Sequence, residues 1–337
     1  MNDEHIQRMR RLKQQHAKRS TPRYRSLLAH WLRCVLKPPA RAKVAPLLTP
    51  SRGEVSISFA GHATALIRYP NLAVLCDPHL GDWCGSVHRE VRPGLSPGEL
   101  GDIDLILLTS QEPDHLHKKT LSRLPRSATV IVPPFAAQCV SSFGFARVIE
   151  LGPDQSVEHR RVDISAIATK PRADKAPGMA YVLRGDGPSV FFCGSSGYFD
   201  GFSQVGRRFQ PDIALLPIGG YSPSSFREHN MSPLDALYAF EDLCAKIMIP
   251  IRFGSFSLSY ERLHDPARWL TELVAARDLE DYVIALEPGQ SRIFTRPAAA
   301  ALPSLSRAIS ESEEVDLVTP VPADAPVSKP DEATGAG

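Results

Sequence analysis

The order of the predicted strands and helices favours one α/β or α+β domain, in which two sheets pack face to face with helices outside. The chain has 337 residues and is 43% hydrophobic, which is enough apolar material for a sizeable core. Three short strands between residues 55 and 76 follow one another through tight turns, as antiparallel neighbours do. Strands then alternate with helices as far as residue 295, and this order is typical of a layered fold.

The first three strands have the clearest patterns. Residues 55–59 alternate apolar and polar side chains, as expected for a half-buried strand. The turn at 61–64 leads into a second strand at 65–69, and Pro70-Asn71 leads into an apolar third strand at 72–76. Further strands are predicted at 104–109, 129–132, 147–151, 162–169, 179–184, 189–193, 212–218, 246–251, 283–287 and 292–295.

Helices are predicted between the later strands. The helix at 233–244 has the best start signal, because Ser232 can cap it, Pro233 suits the first helical position and Asp235 lies in the first turn. The others are predicted at 115–124, around 135–143 and at 266–276.

The two ends of the chain differ from the middle in composition. Residues 1–50 are predicted to be a basic N-terminal arm with a proline-rich linker, because residues 1–43 hold twelve Lys and Arg against two acidic side chains. Residues 51–297 form the predicted domain. Residues 298–337 are acidic and rich in Ala, Pro and Ser, so we expect a disordered tail.

The basic arm has two interpretations. Residues 24–36 place Trp31 and several leucines at helical spacing beside arginines. The arm either packs on the domain or lies on a membrane, drawn to anionic lipid by its charge and anchored by Trp31. Nucleic acid is not an expected partner, because no recognised nucleic-acid-binding fold accompanies the charge.

The cysteines and the apolar runs indicate a compartment. Six cysteines are scattered without a C-x-x-C pair, which favours a reduced protein. The sequence has no run of eighteen apolar residues and no apolar signal region near its start. We therefore expect a cytoplasmic protein. If the basic arm lies on a membrane, the protein would bind peripherally to the inner membrane face.

The turn after the strand at 104–109 carries the densest chemistry. Glu112, Asp114, His115 and His117 place two carboxylates and two imidazoles within six residues. Turns at the carboxyl ends of buried strands are common sites of function in α/β proteins. Oxygen and nitrogen ligands of this kind suit a divalent metal ion.

Five short motifs occur in a fixed order along the predicted domain. They read FAGHATALI at 59–67, LCDP at 75–78, GSSGYFDGF at 194–202, DIALLPIGGY at 212–221 and IPIRFGSFSLS at 249–259. Together they resemble one branch of the metallo-β-lactamase superfamily, which contains the N-acylphosphatidylethanolamine phospholipase D enzymes and the ascorbate-6-phosphate lactonases. The resemblance implies a single domain with the αββα sandwich fold and, in the family, a dizinc centre.

Most metal-ligand positions of that family hold other residues here. The family signature H-x-H-x-D-H corresponds to Ser110, Glu112, Asp114 and His115, so only the last two match. The resemblance assigns the later ligand positions to Arg172, Ser195 and Arg252.

These replacements change the charge of the site. A serine hydroxyl is a poor zinc ligand, and an arginine is permanently protonated and cannot ligate. We interpret the exchange as electrostatic replacement, in which Arg252 and Arg172 neutralise the remaining carboxylates, Asp114 and Glu112. On this interpretation the dizinc centre is absent and no cofactor is expected.

An altered metal site is the alternative. One zinc or another divalent metal ion would bind Asp114 and His115, with a further ligand from Glu112, His117 or His229.

A pocket beside these residues is also expected. His62, Tyr198, Tyr221 and Asn230 are predicted to line it, with Asn230 at the position of a family histidine that helps to position substrate. Arginines near the pocket would favour phosphate or carboxylate groups. The predicted partners are therefore an anionic lipid or another phosphate-bearing ligand, and a protein partner is a further candidate.

The two interpretations of the site lead to two functions. We predict a hydrolase-like pseudoenzyme that binds or regulates, with a membrane surface as one location. The alternative is a metal-dependent hydrolase of phosphodiester, ester or lactone bonds that uses the altered site at Asp114 and His115.

Overall fold

The computed structural model describes residues 39–40, 42, 45–170 and 178–296. Arg172, the predicted tail and most of the predicted basic arm lie outside these residues. No helix within the described ranges is both long and apolar enough to cross a bilayer.

The first sheet has seven strands and contains the three that residues 55–76 predict. These three are antiparallel to one another, and the next three along the chain continue the sheet in parallel. In spatial order the strands are β15 (Ser291–Thr295), β1 (Glu54–Gly61), β2 (Thr64–Tyr69), β3 (Leu72–Cys76), β6 (Leu105–Leu107), β7 (Thr129–Val132) and β8 (Arg147–Glu150).

The second sheet has six strands, of which the last three along the chain are parallel. A separate two-stranded ribbon, β4 (Trp83–Cys84) and β5 (Val87–His88), lies in the loop after β3. In spatial order the second sheet consists of β14 (Ile247–Ile251), β13 (Ile213–Pro217), β12 (Val190–Phe192), β11 (Met179–Arg184), β10 (Val162–Ala168) and β9 (Ser156–His159).

The main core lies between the two sheets. Ile57 and Ile67 of the first sheet and Ile164 and Tyr181 of the second belong to one buried apolar cluster. Each such side chain contributes about 1.5–3 kcal/mol when it is fully removed from water. The hydroxyl of Tyr181 donates to the carbonyl of Leu108 at 2.9 Å, so the polar end of this buried ring is satisfied.

Helices cover the outer faces of the sheets, so the αββα sandwich implied by the resemblance is confirmed. The predicted start of the helix near residue 233 is also confirmed, because Ser232 and Asp235 form a reciprocal capping box. The helices are α1 (Lys118–Leu121), α2 (Ala137–Val140), α3 (Gly201–Phe209), α4 (Pro233–Asp242) and α5 (Asp265–Ala275), with 3₁₀ turns at Ser141–Phe143 and Ser224–Glu228.

Two predicted elements are wrong in extent. The helix predicted at 115–124 is reduced to the single turn of α1, because His117 serves as its N-cap and the residues before it form the site turn. The strand predicted at 283–287 forms only one bridge, between Val283 and Met248, since Pro288 and Gly289 turn the chain soon afterwards.

One edge of the sandwich collects the turns that carry the candidate site. The carboxyl ends of the parallel strands of both sheets lie there, together with the β1–β2 turn. The amide of Arg252, after β14, donates to the carbonyl of His62 in that turn at 2.6 Å, which joins the two sheets at this edge. We call the segments 60–63, 77–94, 108–119, 133–140, 193–200, 218–232 and 252–264 the site edge.

Candidate functional site

Five side chains form one buried network at the site edge, and we call them the ion-pair network. His62 lies in the β1–β2 turn, Asp77 follows β3, Asp114 and His115 lie in the turn after β6, and Arg252 follows β14. His62, Asp77 and Arg252 have left-handed backbones, with φ of 56°, 41° and 59°. Non-glycine residues adopt this conformation rarely, and such strain concentrates at functional sites.

Asp77 is held from three sides. Its Oδ1 accepts from the amide of Thr109 at 2.8 Å, and its Oδ2 accepts from the Thr109 hydroxyl at 2.5 Å. The same Oδ2 lies 2.7 Å from Nδ1 of His115. Because a carboxylate only accepts, Nδ1 carries the hydrogen and the orientation of the His115 ring is fixed.

Asp114 is the centre of the ion-pair network. Its Oδ2 lies 3.0 Å from Nη2 of Arg252, 3.2 Å from Nε2 of His62 and 3.3 Å from Nε2 of His115. The Arg252 and Asp114 side chains are only 9% and 8% exposed, so this ion pair is shielded from water. The predicted pairing of Arg252 with Asp114 is therefore confirmed.

Burial and neighbouring charges move the pKa values of these groups in opposite directions. Burial alone would raise the pKa of Asp114, but His115 and Arg252 outweigh it and hold that pKa well below its ordinary value. Burial alone would lower the pKa of His115, but Asp114 and Asp77 raise it to about 10. Burial lowers the pKa of His62 to about 4, against the raising effect of Asp114.

With His115 protonated and His62 neutral, the formal charges of the ion-pair network balance. Asp77 and Asp114 contribute two negative charges, while imidazolium His115 and guanidinium Arg252 contribute two positive charges. His62 is neutral and donates a hydrogen bond. Each buried charge thus has an opposite partner within hydrogen-bonding reach, which makes its burial tolerable.

We expect the His115 ring to remain protonated at pH 8 and the His62 ring to remain neutral at pH 6. The reason is the pKa of about 10 for His115 and about 4 for His62. Imidazole ¹⁵N chemical shifts measure both states, and His62→Gln and His115→Gln assign the signals. Two rings that titrate together near pH 6.5 would contradict the ion-pair network.

The raised pKa of His115 also predicts how the stability of the folded protein changes with pH. The folded pKa of His115 lies above its unfolded value of about 6.5, so its stabilising contribution is complete below about pH 6.5. That contribution is lost as the pH rises through about 10.

Arg252 has few donors left for a ligand. Its Nη1 donates to the carbonyl of Gly219 at 3.0 Å and to Oδ1 of Asn230 at 2.7 Å, while Nε and Nη2 face Asp114. Four of its five donor hydrogens are therefore engaged inside the protein. The guanidinium serves mainly Asp114, Gly219 and Asn230, and the expectation that arginines near the pocket favour an anion stays a prediction.

Three potential metal ligands lie together in the turn after β6. Glu112, Asp114 and His115 each offer one ligand atom, and these atoms lie within 4.8 Å of one another. Across the described ranges, neither His117 nor His229 joins this group. Nδ1 of His117 lies 2.8 Å from Oγ1 of Thr120 at the start of α1, which explains its absence.

A dizinc centre does not fit these residues. Zinc binds a carboxylate oxygen at about 2.0–2.2 Å. An ion at that distance from Oδ2 of Asp114 would press on the Arg252 guanidinium, which lies 3.0 Å from the same oxygen. The Ser110 hydroxyl accepts from the amide of Glu112 at 3.0 Å and so closes the turn. Ser195 is half-buried and offers only a hydroxyl.

A shallow cleft opens beside the ion-pair network. It encloses about 340 Å³, including space open to solvent, and His62, Gly220, Arg252 and Phe256 line part of it. Asn230 reaches the network through Arg252, as described above.

The two predicted pocket tyrosines lie elsewhere. Tyr198 is buried in the core between the second sheet and its helices, where its hydroxyl donates to Asp242. The ring of Tyr221 packs edge-on against Trp269 at 5.5 Å between centroids. Neither side chain lines the cleft, because each is held by an aromatic or acidic neighbour on the helical side.

Sequence reasoning missed three residues that support the site. Thr109 and Asp77 orient His115, although Asp77 lies in the quoted LCDP motif. The third, Arg89, is fully buried beneath the cleft, where its guanidinium lies 4.3 Å from the centre of the Phe256 ring. A charged residue in a Gly- and Pro-rich loop gives no pattern from which such burial could be predicted.

Comparison with known proteins agrees with this architecture. The family model described as "Beta-lactamase superfamily domain" matches residues 73–253, which is more than half of the chain. A relative named UPF0173 metal-dependent hydrolase from Myxococcus xanthus is 30% identical over 65% of this chain and 79% of its own length. An uncharacterized protein of Mycobacterium tuberculosis is 26% identical over 73% of this chain and 72% of its own length.

A solved structure gives the same result for the fold. The crystal structure of isothiocyanate hydrolase from Delia radicum gut bacteria is 17% identical, covers 72% of this chain and 99% of that chain, and gives a TM-score of 0.63. At that identity the likeness concerns the fold. The family match, the relatives and the αββα sandwich agree, and the chain belongs to the metallo-β-lactamase superfamily.

Proposed function

We propose that this chain is a degenerate member of the superfamily, from its phospholipase D-like and lactonase-like branch, and acts as a non-hydrolytic binding or regulatory protein. The observation that carries the proposal is the ion pair of Arg252 with Asp114, at 3.0 and 3.3 Å. A permanent positive charge stands where the resemblance assigns a metal-ligating histidine. The charge that metal ions would supply to Asp114 is thereby provided by the protein itself.

The metal content of the purified full-length chain tests this proposal. Mass spectrometry of metals should find well below one ion per chain, both as purified and after soaking with zinc followed by desalting. A matched control is Arg184→His, which creates an exposed histidine far from the site edge. Arg252→His should bind more zinc than this control, because it removes the guanidinium and adds a ligand beside Asp114.

The positive control for the scaffold restores the family ligands. It combines Ser110→His, Glu112→His, Arg172→His, Ser195→Asp and Arg252→His, and it should bind zinc if the turns keep the family geometry. About one tightly held metal per chain in the unmodified protein, lost in Asp114→Ala, would contradict the proposal.

A metal-dependent hydrolase is the second candidate function. It is favoured by the cluster of Glu112, Asp114 and His115, and by the ring of His115, whose Nδ1 faces Asp77 while Nε2 points to Asp114. A carboxylate behind the far nitrogen is the usual support of a metal-ligating histidine. The Myxococcus xanthus relative is also named a metal-dependent hydrolase. Cleavage of phosphodiester or lactone substrates that depends on added metal and on His115 would favour this function over the first.

The proposal extends to partners and location. We propose that the protein works at a membrane face as a peripheral protein, with anionic lipid or another phosphate-bearing ligand as its partner. Recognition would fall mainly to groups other than Arg252, because four of its five donor hydrogens are engaged.

A further inference from the structure

The large hydrophobic side chains that are exposed among the described residues are confined to the site edge. Large hydrophobic residues are exposed at four positions, and each lies in a loop that follows a strand at this edge. Grouped exposure of this kind marks an interaction surface more often than scattered exposure does. The four are Trp83 (44% exposed), Phe135 (69%), Phe226 (39%) and Tyr260 (43%), and we call them the aromatic rim.

Phe135 is held outward by its backbone. It is the most exposed member of the aromatic rim and has a left-handed φ of 64°, which is unfavourable for a bulky side chain. Its carbonyl accepts from the side-chain amides of Gln111 at 3.2 Å and Gln138 at 3.3 Å, and these bonds help to hold the strained turn. Strain that projects an apolar ring into water is maintained where the ring has a use.

The surface around the aromatic rim contains charged side chains as well as aromatic ones. Tyr260 and Phe226 pack edge-on with 6.3 Å between their centroids, and Trp83 packs on His88 at 4.6 Å. The segments of the site edge also carry exposed basic side chains, which outnumber the exposed acids of the same segments. The basic residues are Arg92, Lys118, Lys119 and Arg262, and the acids are Asp82 and Glu228.

The basic arm joins the domain beside this rim. Ala40 pairs with the loop that carries Trp83, since its amide donates to Glu90 and its carbonyl accepts from Arg92, both at 2.9 Å. The thirty-eight residues before this junction region hold ten Lys and Arg against two acids. The basic segment therefore enters the described domain next to the loop that carries Trp83.

We propose that the aromatic rim docks on an anionic membrane surface, so that the cleft beside Arg252 faces the lipid headgroups. Aromatic side chains favour the boundary between headgroups and acyl chains, and Lys and Arg add attraction to anionic lipid. The inference rests on the proposed peripheral role of this protein. It names the rim as the docking face and phosphate-bearing headgroups as the ligand class presented to the cleft.

Vesicle binding by the full-length chain tests the inference. The variant Trp31→Phe, Trp269→Phe leaves Trp83 as the single tryptophan of three. On vesicles of phosphatidylcholine with phosphatidylglycerol, Trp83 emission should shift to shorter wavelength and be quenched by brominated acyl chains. Vesicles of phosphatidylcholine alone should bind far more weakly.

Matched variants distinguish docking by the aromatic rim from electrostatic attraction between the whole protein and the anionic vesicle. Phe135→Ser should weaken partitioning about tenfold, because it removes an inserted ring. Lys119→Ser should weaken it about fivefold, as expected for one cation near an anionic surface. Arg52→Ser removes the same charge at the opposite end of β1, where Arg52 pairs with Asp186, and should change binding little.

Several results would overturn the inference. They are unchanged Trp83 emission on vesicles that the chain does bind, equal effects of Lys119→Ser and Arg52→Ser, or absence of binding. A dimer that Phe135→Ser dissolves, without vesicle binding, would assign the rim to a second copy of the chain. The metal content of the same preparation separates this inference from the proposed function. A zinc-loaded chain that binds vesicles contradicts the proposed loss of metal but supports docking. A metal-free chain that does not bind vesicles supports the proposed loss of metal but contradicts docking.

Discussion

Arg252→Met is expected to lower the free energy of unfolding by about 3 kcal/mol, because it leaves Asp114 buried without its guanidinium partner. His62, which still donates to Asp114, and His115, whose Nε2 lies 3.3 Å from Oδ2 of Asp114, do not replace the lost positive charge. Urea denaturation at pH 7 measures the change. In the double variant Asp114→Asn, Arg252→Met, the unpaired charge is gone, so part of the loss should be recovered, with a coupling of about 1–3 kcal/mol.

The matched control is an exposed ion pair of similar geometry. Arg184 and Asp163 lie 2.7 Å apart, which is shorter than the Arg252–Asp114 contact, but their side chains are 50% and 35% exposed. Arg184→Met should therefore cost less than about 1 kcal/mol, since water screens the pair. Equal losses for the two variants would show that the Arg252 pair is not an essential part of the buried network.

Gly194→Ala should have a comparably large effect. A Cβ at position 194 would lie 2.2 Å from both Oδ2 of Asp77 and Oγ1 of Thr109, and 3.1 Å from Nδ1 of His115. These atoms are buried and already hydrogen-bonded, so they cannot move apart without breaking contacts. We expect a loss of about 3 kcal/mol, at the upper end for an overpacked core, measured by urea denaturation.

Gly98→Ala provides the control for this variant. A Cβ at position 98 meets nothing within 4 Å, so the added methyl group should be neutral or slightly stabilising. Equal stability of Gly194→Ala and Gly98→Ala would contradict the close packing described around His115.

The framework of the fold was accessible from the sequence because it depends on local patterns. Alternation in residues 55–59, the apolar run before Ser110 and the cap at Ser232 each have one favoured structure. The pairing of Asp114 with Arg252 could also be predicted, because the resemblance assigned both to one centre. The charge argument then required that a buried carboxylate find a cation.

The rest of the candidate site depends on contacts between distant segments. Asp77 reaches His115 only because β3 and β6 lie side by side in the sheet. The engagement of Arg252 by Gly219 and Asn230 depends on the loop after β13, whose path no periodic pattern predicts. Tyr198 failed as a pocket residue for the same reason, because its motif gives its position in the chain but not the face on which it packs.

The left-handed backbone at three site positions restricts which amino acids can occupy them. Asn, Asp and His adopt positive φ several-fold more often than other non-glycine residues, and β-branched residues are effectively excluded. His62 and Asp77 belong to the tolerated group, whereas Arg252, with φ of 59°, does not. A histidine at position 252 would suit the existing main chain better than the arginine does. If the proposed loss of metal is correct, exchange between the two at this position would remove a ligand through one side chain, while the strands that support it keep their places.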